Sequence, residues 1–569
     1  MKNLAVFAHF LVVVTAVPAP QATSSSTTSS TLLTSVCDGN TADDRTVWCD
    51  YSIETDWYDE VPNTGVIKEY WLEITNMTVS PDGFERVALG INNSIPGPLI
   101  EANWGDTLKL HVTNSLTANG TTMHWHGFRQ NYTVQHDGVP SIIQCPDAPG
   151  TTHTYTFRAT QYGTTWYHSH YALQAWMGVF GPMVIHGPTA ANYDEELEPI
   201  MFNDWTHTSV DALWPSAQAG GPPQLDNALI NGKGTFDGAG SRYEMSIEAG
   251  KKYKLRFINS AIDTYFKLSL DGHTMTVVAM DFVPVEPFEV DVLDFTMGQR
   301  YDVIIEANQS PDNYWFRAIP QSACSNNLNS NDVRAIVRYD TTSTVDPTTA
   351  AWNQTDSCDD VSASSLIPHV KHTVTSPVLQ GPELGVSVAR GSNNLFTWSI
   401  GLASMMVDWS APSLLQIAEG NATWKSDENV YLLPNANEWV YWVIDTQLPV
   451  PHPIHLHGHD FYILAQEAGE TIDSETTVLN LDNPPRRDVA TLPASGYLVI
   501  AFLTDNPGAW LMHCHIGWHV AEGLALQFVE RQSEIPALVD VDELQSTCRA
   551  WEDWQSDETT KIEQEDSGV

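Results

Sequence analysis

The chain has 569 residues, 42% of them hydrophobic and only 17% charged, enough apolar material for three or four cores of roughly 150 residues each. Its formal net charge of −44 argues against nucleic acid or an anionic membrane as partner and suits solubility in mildly acidic surroundings. Outside the N-terminus no apolar run is long enough to span a bilayer.

Residues 1–16 read as a signal peptide, with Lys2 ahead of the apolar stretch LAVFAHFLVVVTA. Residues 17–36 form a low-complexity leader open to removal. Export agrees with Asn-x-Ser/Thr sequons at Asn76, Asn92, Asn119, Asn131, Asn308, Asn353 and Asn421. It agrees also with seven cysteines, of which six can form three disulfides in fifteen possible pairings. Cys514, between two histidines, is the one set aside for other chemistry.

Strand signals dominate the rest. TLKLHVTN and KKYKLRFINS alternate apolar and polar residues, and YLVIAFLTDNPGAW is a long β-branched and aromatic run. Long helical periodicity is scarce, so the chain is expected to be all-β, built as sandwiches or barrels. GDTLKLHVTNSL (105–116) is echoed by GKKYKLRFINSA (250–261), each a strand ending at an Asn-Ser turn. A third unit is expected to contain NEWVYWVIDTQ (437–447). Turn formers near 186–199 and 338–352 divide the chain into units 37–187, 188–345 and 346–569.

Eleven of the 20 histidines fall in four short clusters: His124 and His126; His168 and His170; His452, His455, His457 and His459; His513, His515 and His519. On a strand, residues i and i+2 share a face, so each His-x-His offers two imidazoles to one side. In HCH, His513 and His515 face one way and Cys514 the other, one peptide unit from each. Cys514 therefore belongs to a different metal site and is wired covalently to its neighbours' site. Structural zinc prefers several thiolates. Two histidines, one cysteine and a weak or absent axial ligand make the electron-transfer copper arrangement, which His452, Cys514 and His519 supply. Leu524 offers no donor at the axial position, which raises the reduction potential.

The four clusters, in this order and spacing, resemble those of the multicopper oxidases over nearly the whole chain after the leader. Leu524 in HCHIGWHVAEGL, the stretch MGQRYDVIIEA and the terminal DSGV resemble the ascomycete laccases within that family. The resemblance implies three cupredoxin-like Greek-key domains and four copper ions. It places type 1 copper on His452, Cys514 and His519, and type 2 on His124 and His455. The type 3 pair takes His126, His168 and His515 on one ion and His170, His457 and His513 on the other. His459 falls outside the pattern, as a supporting or structural residue. The implied activity is one-electron oxidation of phenolic donors with reduction of dioxygen to water, by a secreted protein expected as a monomer, with an oligomer left open. A ferrous-ion or ascorbate oxidase of the same family is the rival reading.

The resemblance also implies four further roles. Asp137 in QHDGVP matches the acid near the trinuclear cluster. Asp263 in NSAIDTYF matches the carboxylate that receives the phenolic proton beside the exposed type 1 histidine, His519. The IGW segment lacks the acid that many relatives carry there, and Asp566 in the C-terminal plug is a substitute proton source. The disulfides are expected as Cys37–Cys49, Cys145–Cys548 and Cys324–Cys358.

Overall fold

A computed structural model describes residues 32–33, 37–375, 383–421, 423–473, 476–557, 559 and 561–569. The expected signal peptide lies outside the described residues. Of the leader only Leu32–Leu33 fall within them, as a short strand against Glu195–Leu197. Among the described residues no helix is long and apolar enough to cross a membrane.

The alternation of TLKLHVTN is realised as a strand, Thr107–Asn114, that buries Leu108, Leu110 and Val112. It lies parallel to Ile67–Val79 and antiparallel to Thr152–Arg158, with Arg86–Ile91 completing the sheet. A second sheet of Ile100–Asn103, Phe180–His186, Gly163–Ser169 and Met123–Trp125 closes over it. Leu110 and Phe157 from the first sheet share a core with Trp125, Met183 and Ile185 from the second.

Lys252–Asn259, the echo of that strand, lies inside an eight-stranded sheet, antiparallel to Arg300–Glu306. A five-stranded sheet including Asn313–Pro320 and Phe266–Leu270 completes this region. The repeat has a physical basis in its asparagines. Asn114 accepts the N–H of Leu116 and donates to Asn119 O; Asn259 accepts the N–H of Ala261 and donates to Thr264 O. Each is a side-chain-closed turn, which asparagine forms readily. The second of these turns carries the loop with Asp263.

In the third region a six-stranded sheet centres on Trp439–Thr446 and Tyr497–Leu503. A five-stranded sheet holds His452–Leu456, Val489–Leu492, Gly508–Cys514, Ala525–Glu530 and Val430–Leu433. The run YLVIAFLTDNPGAW is thus split between the two sheets. At the break, Asn506 donates to Arg129 O and Gly458 O at 2.6 and 3.0 Å, and Pro507 has no N–H to continue a ladder. Helix is scarce, and the longest among the described residues is Val541–Gln555. Asp540 caps it, accepting the N–H of Glu543, and Leu544, Cys548 and Trp551 form its buried face. Disulfides join Cys37 to Cys49, Cys145 to Cys548 and Cys324 to Cys358, leaving Cys514 free and buried.

Candidate metal centre

Strand register assembles the clusters. His124 and His168 are opposite one another on antiparallel strands, as are His455 and His513. The His-x-His geometry then turns the remaining imidazoles inward from both regions. His170, His457 and His513 bring one nitrogen each within 4.8 Å of the others. The His126, His168 and His515 rings lie 5.2 to 5.9 Å apart by centroid. His124 and His455 lie 5.9 Å apart between these groups.

The polar partners of these rings decide what the cluster can hold. Nδ1 of His124, His168, His455 and His513 donates to the carbonyl oxygens of Asp137, Ser169, Asp488 and Cys514 at 2.8 to 3.0 Å. Nδ1 of His457 donates to Asp137 Oδ2 at 2.9 Å. With the proton fixed there, Nε2 of all five carries a buried lone pair, and none has a hydrogen-bond partner. His126 is reversed: Nε2 faces Asp488 Oδ1 at 3.2 Å and Nδ1 is the unpartnered atom. Burial, and then the neighbouring imidazoles, hold His126, His168, His170, His455 and His457 far below the usual imidazole range. His513 is pushed down to about 4, chiefly by burial. Neutral imidazoles with buried lone pairs and outer hydrogen bonds are what a borderline metal cation requires.

On the opposite face of the same strand, Cys514 Sγ lies 3.8 Å from His452 Nδ1 and 3.7 Å from His519 Nδ1. Burial pushes His452 down to about 3 and the Cys514 thiol far above its ordinary range. Leu524 is fully buried beside them. Its backbone accepts the N–H of Cys514 and donates to His519 O, both at 3.0 Å. His519 was expected to be exposed; it is only 5% accessible, because Trp398 stacks over it with ring centroids 4.0 Å apart.

The carboxylates separate into distinct settings. Asp137 reaches both His124 and His457, as its position near the clusters suggested. Asp488 touches His126 and His455 and was missed in the sequence, where PPRRDVA carries no metal-ligand spacing. Burial, only partly offset by the Arg300 guanidinium, raises it to about 6. Asp263 is buried, and burial followed by the nearby Asp204 raises its carboxyl far above the usual range. Gly517 donates to Ile262 O at 3.0 Å, which sets the Asp263 loop against the helix Gly517–Ala521 that bears His519. Asp566, Ser567 and Val569 are buried, and Ser567 bonds Val520 O and Ala521 O on that same helix. His459 bonds Glu530 at 2.9 Å, away from the unpartnered nitrogens.

Two kinds of site, one imidazole-rich and one thiolate-centred, joined through consecutive residues of one strand, define a copper-handling redox protein. Three family models, each described as multicopper oxidase, match residues 73–190, 196–342 and 406–534. Laccase-2 of Botryotinia fuckeliana is 47% identical, over 98% of this chain and 97% of that one. The crystal structure of a laccase from Botrytis aclada superposes with a TM-score of 0.89 at 46% identity, covering 93% of this chain and all of that one. Fet3p, a multicopper oxidase that functions in iron import, is more distant, at 25% identity and a TM-score of 0.77 over 85% and 95% of the two chains. The chain belongs to the multicopper oxidase family. It is a copper-dependent oxidoreductase of the laccase type, and its sheets are cupredoxin-like.

Proposed function

We propose that the enzyme is secreted, takes electrons singly from phenolic donors and returns them to dioxygen as water. The observation that carries this reading is the placement of Cys514, bonded on one side to His513 and on the other to His515, which belong to two different imidazole groups. In this reading His452, Cys514 and His519 hold type 1 copper, and His124 and His455 hold type 2. His126, His168 and His515 hold one type 3 ion, and His170, His457 and His513 the other. Units 37–187 and 346–569 then supply all the ligands, with 188–345 between them. Bound copper supplies the one-electron steps and the reduction of dioxygen.

The chain's own residues do the rest. Cys514 gives a through-bond path of one residue to either group of imidazoles. Trp398 covers His519 and keeps bulk water from the thiolate. Asp263, on the loop set against the helix of His519, takes the phenolic proton. Asp137 orients His124 and His457. The segment Asp566–Val569 bridges the two ligand-bearing regions. Gly568 O accepts from Ser141 at 2.7 Å, four residues past Asp137, while Ser567 holds the His519 helix. We read it as a plug with Asp566 as a proton source. The lower identity to the iron-import oxidase favours a phenol over ferrous ion. Oxygen uptake should be fast with a simple phenol and slow with ferrous ion or ascorbate; the reverse order would reject this donor class.

A further inference from the structure

The segment MGQRYDVIIEA supplies none of the proposed ligands, yet residues 298–300 within it meet the imidazole cluster. Gly298 has φ +83°, and a Cβ there would come within 2.9 Å of His515 Cδ2 and 3.0 Å of Val489 Cγ2. Gln299 Nε2 donates to Val489 O at 3.3 Å and to Asp360 Oδ1 at 2.8 Å. Arg300 then forks onto Asp488, with Nη1 to Oδ1 at 2.5 Å and Nη2 to Oδ2 at 2.7 Å. Its Nε donates to Thr164 O at 3.1 Å on the strand that carries His168. Both members of the pair are buried, so the pairing is geometrically strict.

The pair also explains a glycine. Gly127 follows His126 in the first cluster with φ +77°. A Cβ on it would lie 2.3 Å from Arg300 Nη2 and 2.6 Å from Asp488 Oδ2. Three separate stretches of chain therefore close on one ion pair: Gly127, Arg300 and Asp488. Asp488 in turn faces His126 Nε2 and holds His455 Nδ1 through its backbone oxygen.

We infer that Arg300 is a positioning residue of the imidazole cluster, supplied by the middle region. It fixes Asp488 in the one orientation that sets the tautomer of His126, and it ties that carboxylate to the strand of His168. The inference rests on the reading of His126 and His455 as copper ligands. Lysine keeps the charge but has no planar fork, so it cannot satisfy both carboxylate oxygens and Thr164 O together. Loss of an outer-shell partner of this kind weakens metal binding about 10- to 100-fold.

The test is copper binding by Arg300→Lys and Gly127→Ala, each measured as copper per chain during titration of the metal-free protein. Electron paramagnetic resonance of the type 2 signal and the absorption of the type 1 site complete the measurement. Arg256→Lys is the control. Arg256 forms a buried pair with Glu196 and Asp302 and donates to the Thr164 hydroxyl, so it shares the strand anchor of Arg300 but touches neither Asp488 nor a proposed ligand. Arg300→Lys should lose cluster copper about 10- to 100-fold more readily, with altered type 2 hyperfine splitting and the blue band retained. Gly127→Ala should reproduce that pattern and serves alone if the lysine variant does not fold. Arg256→Lys should change neither copper content nor the type 2 signal. Full copper and an unchanged type 2 signal in the variants would overturn the inference, as would equal losses in Arg256→Lys. Wild-type protein that binds no copper beyond the thiolate site would instead remove the ligand reading on which the inference depends.

Discussion

Cys514 has no reason to ionise where it lies unless a cation meets it. Burial opposes the thiolate and equally opposes protonation of His452 and His519, so copper binding and loss of the thiol proton are one event. Cys514→Ser should abolish the strong red absorption and nearly all phenol oxidation while cluster copper persists. Spectra with metal analysis check this, and a blue, active variant refutes the thiolate assignment. Leu524 lends its backbone to both Cys514 and His519, so its side chain can change without releasing them. Leu524→Met should lower the type 1 potential, because a thioether donor stabilises copper(II) where leucine gives nothing. A redox titration showing an equal or higher potential would count against an axial position for residue 524. Asp263→Asn should slow phenols more than non-phenolic one-electron donors, since only the phenol surrenders a proton. Comparable losses with both donors would leave Asp263 a structural acid.

At the scale of elements, the His-x-His spacing was legible because strand periodicity alone decides which imidazoles share a face. What was not legible is register. His124 meets His168 and His455 meets His513 only through pairings between strands distant in sequence. Asp488 escaped notice for the same reason. It precedes Val489, which pairs with His455, and nothing local to PPRRDVA shows that alignment. Helix Val541–Gln555 did carry a signal, with Leu544, Cys548 and Trp551 spaced along one face, but it is a short stretch in a chain of strands. The same helix carries Cys548, whose bond to Cys145 spans 403 residues. Replacing both cysteines by serine should cost about 2–4 kcal/mol and lower the melting temperature, with the blue band kept. Calorimetry with an unchanged transition would show that Trp551, packed with Tyr171 and Trp409, already holds the helix without the bond.

Across the whole molecule, the C-terminal segment links the first and third regions, which no single sheet among the described residues connects. Val569 lies in the apolar cluster of Val134, Val139 and Ile142 from the first region and Trp510 and Val520 from the third. Ser567 also accepts from Val407 N–H at 2.9 Å, so the segment is held by backbone bonds rather than left in solvent. Its weak point is Asp566, which burial raises to about 7. A carboxyl raised in the folded state favours the protonated form. Its contribution to docking is therefore complete below the unfolded value, about pH 4, and is lost as pH rises through about 7. The segment should be more protected from hydrogen exchange at pH 4 than at pH 8. Asp566→Asn, which cannot ionise, should remove most of that difference. Deleting residues 566–569 should impair oxygen reduction while leaving the type 1 spectrum largely unchanged, because Cys514, His452 and His519 lose none of their own hydrogen-bond partners. Wild-type turnover in the deletion would show that the buried segment serves packing alone, and that protons reach the cluster by another route.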